Sequence, residues 1–130
     1  MAGASETYHE PLDQLSSQTK DMHRALVSLQ EELEAVDWYR QRADACADEE
    51  LKDILLHNMR EEVEHACMVL EWLRRNSADF DKQMKIYLFK DKPIVEAEGE
   101  EADISETSAN YRNRSLYKFT IGDLKEKSKP

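Results

Sequence analysis

The chain has 130 residues, 28 of them acidic and 18 basic, so its formal net charge is −10. That charge disfavours nucleic acid and anionic membranes as partners and favours the attraction of cations. No apolar run reaches membrane-spanning length and the N-terminus lacks a signal-peptide pattern, which predicts a cytoplasmic protein. With only three Gly and three Pro, the composition predicts one small all-helical domain.

A first long helix is predicted for residues 12–46, because helix formers dominate there and apolar side chains recur every three or four positions. One stripe along it consists of Ala25, Leu29, Glu32, Val36 and Tyr39. Glu32 therefore points toward a partner helix from an otherwise apolar face. A carboxylate in that position is expensive to bury unless a cation takes its charge.

A second long helix is predicted for residues 49–76, with Asp48 as its N-cap. Its inward stripe is apolar at both ends and polar in the middle, where Asn58, Glu62 and His65 stand. Glu62 and His65 are three residues apart, so they share one face of the helix. This is the Glu-x-x-His spacing of carboxylate-bridged dimetal sites in helix bundles.

The polar residues that interrupt the apolar stripes of the two helices are predicted to lie at similar heights above the turn that joins the helices. Glu32 stands 15 residues before Ala47, whereas Glu62 and His65 stand 15 and 18 residues after it. In two antiparallel helices these positions all come to roughly 22–27 Å above the turn. The three side chains are therefore able to meet.

One chain supplies only half of a dinuclear site. A four-helix bundle of this kind takes a Glu from each of two helices and a Glu-x-x-His from each of the other two, and this chain has one of each. We therefore predict an antiparallel two-helix hairpin, with a short third helix, that forms a four-helix bundle by dimerisation. The ligand set suits iron, manganese or zinc and does not choose among them.

An alternative interpretation of the same residues needs no metal. Glu61, Glu62 and Glu64 would then form a solvated acidic face with His65 as a satisfied interior histidine, since such spacings also arise by chance. Against it, Glu32 matches the pair in height, and both positions interrupt apolar stripes. Residue types and spacing alone leave the two interpretations open.

Three further residues near Glu32 have both an ordinary and a functional interpretation. Glu31 and Glu34 share a helix face one turn apart and are either exposed glutamates or residues that attract hydrated cations. Tyr39 is either a core aromatic or a hydrogen-bond donor to a ligand carboxylate or a nearby water.

The remainder of the chain is predicted to contain a third helix, a linker and a terminal peptide. The third helix starts at Ser77 and ends before Pro93, which closes a helical domain of residues 1–93. Residues 94–115 are acidic and poor in apolar side chains, which predicts a disordered linker. Residues 116–130 carry a short apolar peptide typical of a docking motif, although a terminal element packed on its own domain would also fit.

Several stretches of the chain together resemble the encapsulated ferritin family. They are residues 31–39, 57–58, 61–66, 70–75 and 87–89, and the resemblance covers nearly all of residues 9–94. The tail, through residues 119–125, is similar to the cargo-loading peptide that directs such proteins into encapsulin shells. In this tail Asp123 stands where Ser is common in the usual peptide. We expect this difference to affect the strength of docking more than docking itself.

The resemblance implies a ferritin-like ferroxidase whose di-iron centre forms between two subunits. Glu32, Glu62 and His65 match the family's iron ligands, with the Glu62 carboxylates bridging two Fe²⁺ ions that dioxygen then oxidises. Tyr39 matches the family's tyrosine beside the centre. Glu31 and Glu34 match the pair of residues that attracts incoming metal.

The resemblance also implies how the protein assembles and where it works. Five dimers would form a ring, a homodecamer that lacks a closed storage cavity, inside an encapsulin nanocompartment of the cytoplasm. Iron oxidised by the ring would be mineralised and stored in the lumen of the shell. A helical metal-binding or adaptor cargo protein without turnover is the alternative function, and oxygen consumption on addition of iron separates the two.

Overall fold

The computed structural model describes residues 8–100, and the regular elements in that range are all helical. The three α-helices are α1 at Ser17–Ala45, α2 at Glu49–Asn76 and α3 at Ala78–Tyr87, with 3₁₀ helices at Leu12–Gln14 and Ile94–Glu100. The predicted all-helical class, with two long helices and a short third one, is confirmed. None of the helices in the described range is long and apolar enough to cross a membrane. The described residues form two compact units, which divide between Trp72 and Leu73.

In the first unit, α1 begins five residues later than the apolar pattern predicts. Ser16 has extended backbone, and its side-chain oxygen accepts a hydrogen bond from the Thr19 N–H at 3.1 Å. An N-cap of this kind satisfies a helix-end donor and marks the start of the helix. The apolar period that begins at Leu12 therefore forms only a short 3₁₀ turn before the cap.

The turn between α1 and α2 contains the predicted N-cap. Asp48 Oδ1 accepts a hydrogen bond from the Leu51 N–H at 2.8 Å, which starts α2. Glu49 and Glu50 occupy the first turn of α2, where the positive end of the helix dipole stabilises acidic side chains. The predicted span of the second helix is confirmed.

The second unit contains a buried carboxylate on α3. Ser77 caps this helix as predicted, since its side chain accepts a hydrogen bond from the Phe80 N–H at 3.3 Å. Asp81 has only 3% of its side chain exposed, and its two oxygens accept hydrogen bonds from Arg74 at 2.7 Å and from Lys85 at 2.8 Å. Burial raises the pKa of Asp81, but the hydrogen bonds from Lys85 and Arg74 lower it by more, so the pKa falls below its ordinary value.

The segment predicted to be a disordered linker begins with regular structure. Ile94–Glu100 forms a 3₁₀ helix in which the Glu96 N–H donates to the Pro93 carbonyl at 3.0 Å. This helix contacts α3 and buries Ala97, which is 1% exposed. An acidic composition does not oppose a short helix that follows a proline and buries an alanine. The rest of the linker and the tail, residues 101–130, lie outside the described residues.

The single chain has a small apolar core. In the part of the chain that the structure describes, the buried apolar side chains are mostly alanines: Ala43, Ala66, Leu73, Ile86 and Ala97. By contrast, α2 leaves Leu51, Ile54, Met68 and Trp72 between 39% and 58% exposed. At about 100° per residue these four side chains project from the same side of α2 as His65, and we call this side the open face. An exposed apolar stripe of this kind is typical of a surface that a partner covers.

Candidate metal centre

Two carboxylates and one imidazole come together on the hairpin formed by α1 and α2. Glu32 lies on α1, and Glu62 and His65 lie one turn apart on α2. One ligand atom from each side chain falls within 4.8 Å of the other two. Among residues 8–100, these three side chains form the group of His, Cys, Asp or Glu residues that lie close enough together to hold one metal ion. The turn count along the two helices therefore predicts the observed meeting of these residues.

His65 faces both carboxylates through the same ring nitrogen. Its Nδ1 lies 3.3 Å from Oε2 of Glu62 and 3.6 Å from Oε2 of Glu32. The side chains of Glu62 and Glu32 are 23% and 26% exposed, whereas the imidazole is 46% exposed. The cluster therefore lies at the open face and not in the interior of the hairpin.

The two carboxyl groups shift each other's pKa in opposite directions. A hydrogen bond with Glu62 raises the pKa of Glu32, and partial burial raises it further. The same hydrogen bond lowers the pKa of Glu62, and the hydrogen bond to Glu62 raises the pKa of His65 above its ordinary value. These shifts arise because the three side chains lie close together. A metal ion at the cluster would bind these groups in their deprotonated forms.

The ligand set is one that helix bundles use for metals, but it comes from two helices only. Carboxylate oxygens and a neutral imidazole suit iron, manganese and zinc. Dinuclear centres in helix bundles collect such ligands from four helices. The hairpin therefore presents half of the donors of a dinuclear centre.

The other three residues singled out from the sequence lie outside the cluster. Tyr39 is partly buried two turns from Glu32, and the guanidinium carbon of Arg42 lies 5.4 Å from the centre of its ring. Glu31 is exposed and Glu34 is partly buried. The roles predicted for Tyr39, Glu31 and Glu34 remain predictions.

One close contact between side chains of α2 is not among the residues that spacing singled out. His57 Nε2 lies 3.1 Å from Oε1 of Glu61, and both side chains are more than half exposed. Their spacing of four residues places them on neighbouring turns of one helix face, so the pattern was present in the sequence. Glu61 therefore partners His57, while the adjacent Glu62 belongs to the cluster.

A sequence model of the EncFtn-like family matches residues 7–91, which include both long helices and all three residues of the cluster. The chain belongs to the EncFtn-like family. The resemblance to encapsulated ferritins drawn from the residues is thereby confirmed. The matched region of this EncFtn-like chain ends well before the tail of residues 116–130.

Individual relatives agree with the family assignment. The encapsulated ferritin-like protein of Rhodospirillum rubrum is 55% identical to this EncFtn-like chain over 98 residues, which are 75% of this chain and 70% of the relative. The ferritin-like protein of Thermotoga maritima is 50% identical over 104 residues, 80% of this chain and 91% of the relative. A crystal structure of a Nitrosomonas europaea protein is 62% identical with a TM-score of 0.65, covering 67% of this chain and 96% of that one.

Proposed function

We propose that this EncFtn-like protein is a ferroxidase that oxidises Fe²⁺ to Fe³⁺ with dioxygen at a di-iron centre shared by two subunits. The observation that carries the proposal is the cluster of Glu32, Glu62 and His65, whose ligand atoms lie within 4.8 Å of one another. Iron is the substrate. The names of the Rhodospirillum rubrum and Thermotoga maritima relatives both contain the word ferritin-like, which supports iron as the metal.

The charge of the chain and the chemistry of the cluster fit a divalent cation. A net charge of −10 raises the concentration of cations near the surface. The carboxyl groups of Glu32 and Glu62 lie close enough together to share a hydrogen bond, and their proximity supports a cation site between them. We assign Glu31 and Glu34, one turn apart beside Glu32, to attracting the incoming ion.

A second copy of the chain supplies the missing half of the centre. The open face surrounds His65 with apolar side chains, among them Ile54 at 52% exposure and Met68 at 58%. A copy that packs its own open face there removes this surface from water and adds a second set of Glu32, Glu62 and His65. Two hairpins then make the four-helix, ferritin-like bundle that a dinuclear carboxylate centre requires.

Each residue of the cluster has its own task in this reaction. Glu32 and Glu62 bind iron as carboxylates, and their negative charge favours the Fe³⁺ product. His65 binds through a neutral ring nitrogen, because a metal ion needs the lone pair of a deprotonated nitrogen. Bound iron supplies the electrons that reduce dioxygen. Tyr39 is assigned to donate a hydrogen bond to a ligand carboxylate or a nearby water.

Oxygen uptake tests the enzymatic proposal directly. Protein loaded with Fe²⁺ without oxygen and then exposed to air should consume dioxygen and form Fe³⁺. Glu32→Ala should remove this activity, whereas Glu64→Ala, which deletes an exposed glutamate of α2, should keep it. Iron binding without oxygen uptake in the wild-type protein would instead support a metal-binding or adaptor module.

The tail of residues 116–130 is proposed to dock the protein in an encapsulin shell, where the oxidised iron is mineralised and stored. The proposal rests on the apolar pattern of the tail, on its similarity to a cargo-loading peptide, and on the Rhodospirillum rubrum relative, which is named an encapsulated ferritin-like protein. The helical domain of residues 1–93, a linker that begins after the 3₁₀ helix at Ile94–Glu100 and ends at residue 115, and the ring of five dimers are parts of the same proposal. They place an iron-oxidising assembly on a tether inside the shell.

Deletion of residues 116–130 tests the tail independently of the metal centre. The deletion should abolish co-purification with a co-expressed encapsulin shell, because it removes the docking peptide. Iron oxidation should be unchanged, since the cluster lies on α1 and α2. Undiminished co-purification of the truncated protein would refute the docking role.

A further inference from the structure

The last turn of α1 places a cation over the ring of the tyrosine assigned to the metal centre. The guanidinium carbon of Arg42 lies 5.4 Å from the centre of the Tyr39 ring. This is within the roughly 6 Å over which a cation is attracted to the face of an aromatic ring. Tyr39 is partly buried, whereas Arg42 is exposed. The contact therefore joins an exposed charge to a partly buried ring.

Helical spacing offers Arg42 an aromatic partner and no carboxylate. Elsewhere on α1, Arg24 donates a hydrogen bond to Asp21, three residues earlier, at 2.6 Å. Positions three and four residues away on a helix are the ones that side chains can reach. Around Arg42 these positions hold Trp38, Tyr39, Ala45 and Cys46. Although the chain has 28 acidic residues, this arginine is spaced to contact a ring.

Both side chains of this contact lean along α1 toward the candidate metal centre. Side chains of an α-helix point toward its N-terminus and cover the turn before their own Cα. Arg42 accordingly reaches back over Tyr39, and Tyr39 reaches back along the stripe that contains Glu32. Glu32 precedes Tyr39 by about 10 Å of helix rise. The lean of Tyr39 therefore brings its hydroxyl closer to the cluster than its backbone is.

We propose that Arg42 is a positioning residue of the metal centre, whose guanidinium holds the Tyr39 ring so that the hydroxyl is directed toward the cluster. The inference rests on the proposed function, in which Tyr39 donates a hydrogen bond to a ligand carboxylate or a nearby water. A tyrosine side chain has several staggered rotamers, and a cation over one face of the ring favours the rotamer that keeps the contact. Arg42 itself contacts neither iron nor a ligand in this role.

A role confined to helix stability is the competing explanation for Arg42. It is the basic residue in the last turn of α1, where the negative end of the helix dipole favours a cation. That interaction involves the backbone of α1 and does not depend on the hydroxyl of Tyr39. The two roles therefore separate when the hydroxyl is removed and the ring is kept.

Arg42→Gln in the full-length protein removes the cation from the ring. The rate of iron oxidation at saturating Fe²⁺ should fall about two- to fivefold, the factor that corresponds to a cation–π contact at an exposed site. Arg40→Gln is the matched control, because it makes the same charge change at an exposed position of α1 and leaves the ring contact in place. The control should oxidise iron at the wild-type rate. A wild-type rate in Arg42→Gln, or equal slowing by both variants, would overturn the positioning role.

The Tyr39→Phe background shows whether Arg42 acts through the hydroxyl. Phenylalanine keeps the ring that Arg42 contacts and removes only the group that Arg42 is proposed to position. Tyr39→Phe should slow oxidation, and the addition of Arg42→Gln should cause no further loss, because residues that act through one another have non-additive effects. The same further loss in both backgrounds, or no loss in Tyr39→Phe alone, would contradict the inference.

Zinc binding tests the positioning without any turnover. Zn²⁺ suits the same ligand set and has no redox chemistry. In protein labelled with 3-fluorotyrosine, Tyr39→Phe identifies which of the five tyrosine signals in the ¹⁹F NMR spectrum belongs to Tyr39. Addition of Zn²⁺ should move that signal, because the hydroxyl donates toward the cluster. In Arg42→Gln the movement should be smaller by about twofold or more, and in Arg40→Gln it should be unchanged.

The outcomes for Arg42 and for the ferroxidase are distinguishable. A wild-type protein that takes up no oxygen, but whose Tyr39 signal responds to Zn²⁺ in a way that depends on Arg42, overturns the ferroxidase and supports the positioning role. A wild-type protein that oxidises iron, but whose Tyr39 signal does not respond to Zn²⁺ or responds equally in Arg42→Gln, overturns the positioning role and leaves the ferroxidase standing.

Discussion

Asp81 and the pair of Glu32 and Glu62 are buried or partly buried carboxylates, and the two places balance their charge in different ways. Asp81 is 3% exposed and has two cationic partners in its own chain, Arg74 and Lys85. Glu32 and Glu62 are about a quarter exposed and have only a shared hydrogen bond and His65 beside them. The chain supplies its own cations where a carboxylate stabilises structure. Where it leaves two carboxylates together with one imidazole, an external cation fits.

Removal of a cluster carboxylate should have the largest of the expected effects. It should lower the rate of iron oxidation and leave the stability of the protein nearly unchanged. Glu62→Ala is expected to lower the rate of iron oxidation by about 100-fold or more, because a ligand to the proposed di-iron centre is lost. The thermal midpoint of the metal-free protein should change little, because the side chains of Glu62, Glu32 and His65 are 23%, 26% and 46% exposed and can be hydrated. Oxygen uptake and thermal unfolding measure the two quantities. Wild-type oxidation rates in Glu62→Ala would end the ligand assignment.

Removal of the structural carboxylate should produce the reverse pattern. Asp81→Asn is expected to lower the free energy of unfolding by about 1–3 kcal/mol, less than for a fully buried ion pair. The reduction follows because the side chains of Arg74 and Lys85 are 30% and 32% exposed and can be hydrated. Urea unfolding at fixed protein concentration measures the effect. The rate of iron oxidation should stay at the wild-type value, and a large loss of oxidation would break the contrast between the two places.

The effect of Asp81 should also depend on pH in a defined direction. Its pKa in the folded protein is below the ordinary value of 3.8, so its stabilising effect is fully present above the unfolded pKa of about 3.9. That effect is lost as the pH falls through the lower pKa of the folded state. The difference in unfolding free energy between wild type and Asp81→Asn should therefore be constant from neutral pH to about pH 5 and shrink below about pH 4. A difference that grows on acidification would contradict the assigned direction.

The parts of the fold that the sequence predicts well are those that local chemistry determines. Asp48 and Ser77 each cap a helix by accepting a backbone hydrogen bond, and both helix starts could be predicted from residue type. The apolar period extends α1 back to Leu12, but the cap at Ser16 overrides it. The helix at Ile94–Glu100 was missed, because composition does not reveal the burial of one alanine against α3.

The part of the candidate site that could be predicted from the sequence is likewise the part that regular helix geometry determines. Each residue of a regular helix adds the same rise along the helix axis. Counting residues from the turn between α1 and α2 therefore places Glu32 opposite Glu62 and His65. The shared nitrogen contact of His65 and the opposite pKa shifts of the carboxyl groups depend on side-chain positions that no count provides. The left-handed backbone of Phe89 could not be predicted either, because no glycine marks the position.

The central claim is that one chain carries half of a di-iron centre and that a second copy completes it. Native mass spectrometry of protein loaded with Fe²⁺ without oxygen, over a range of protein concentrations, tests this claim most directly. We expect two iron ions per dimer and no tightly held pair in monomers produced by dilution, because a monomer has one Glu32, one Glu62 and one His65. Monomers that retain two tightly bound iron ions would contradict it.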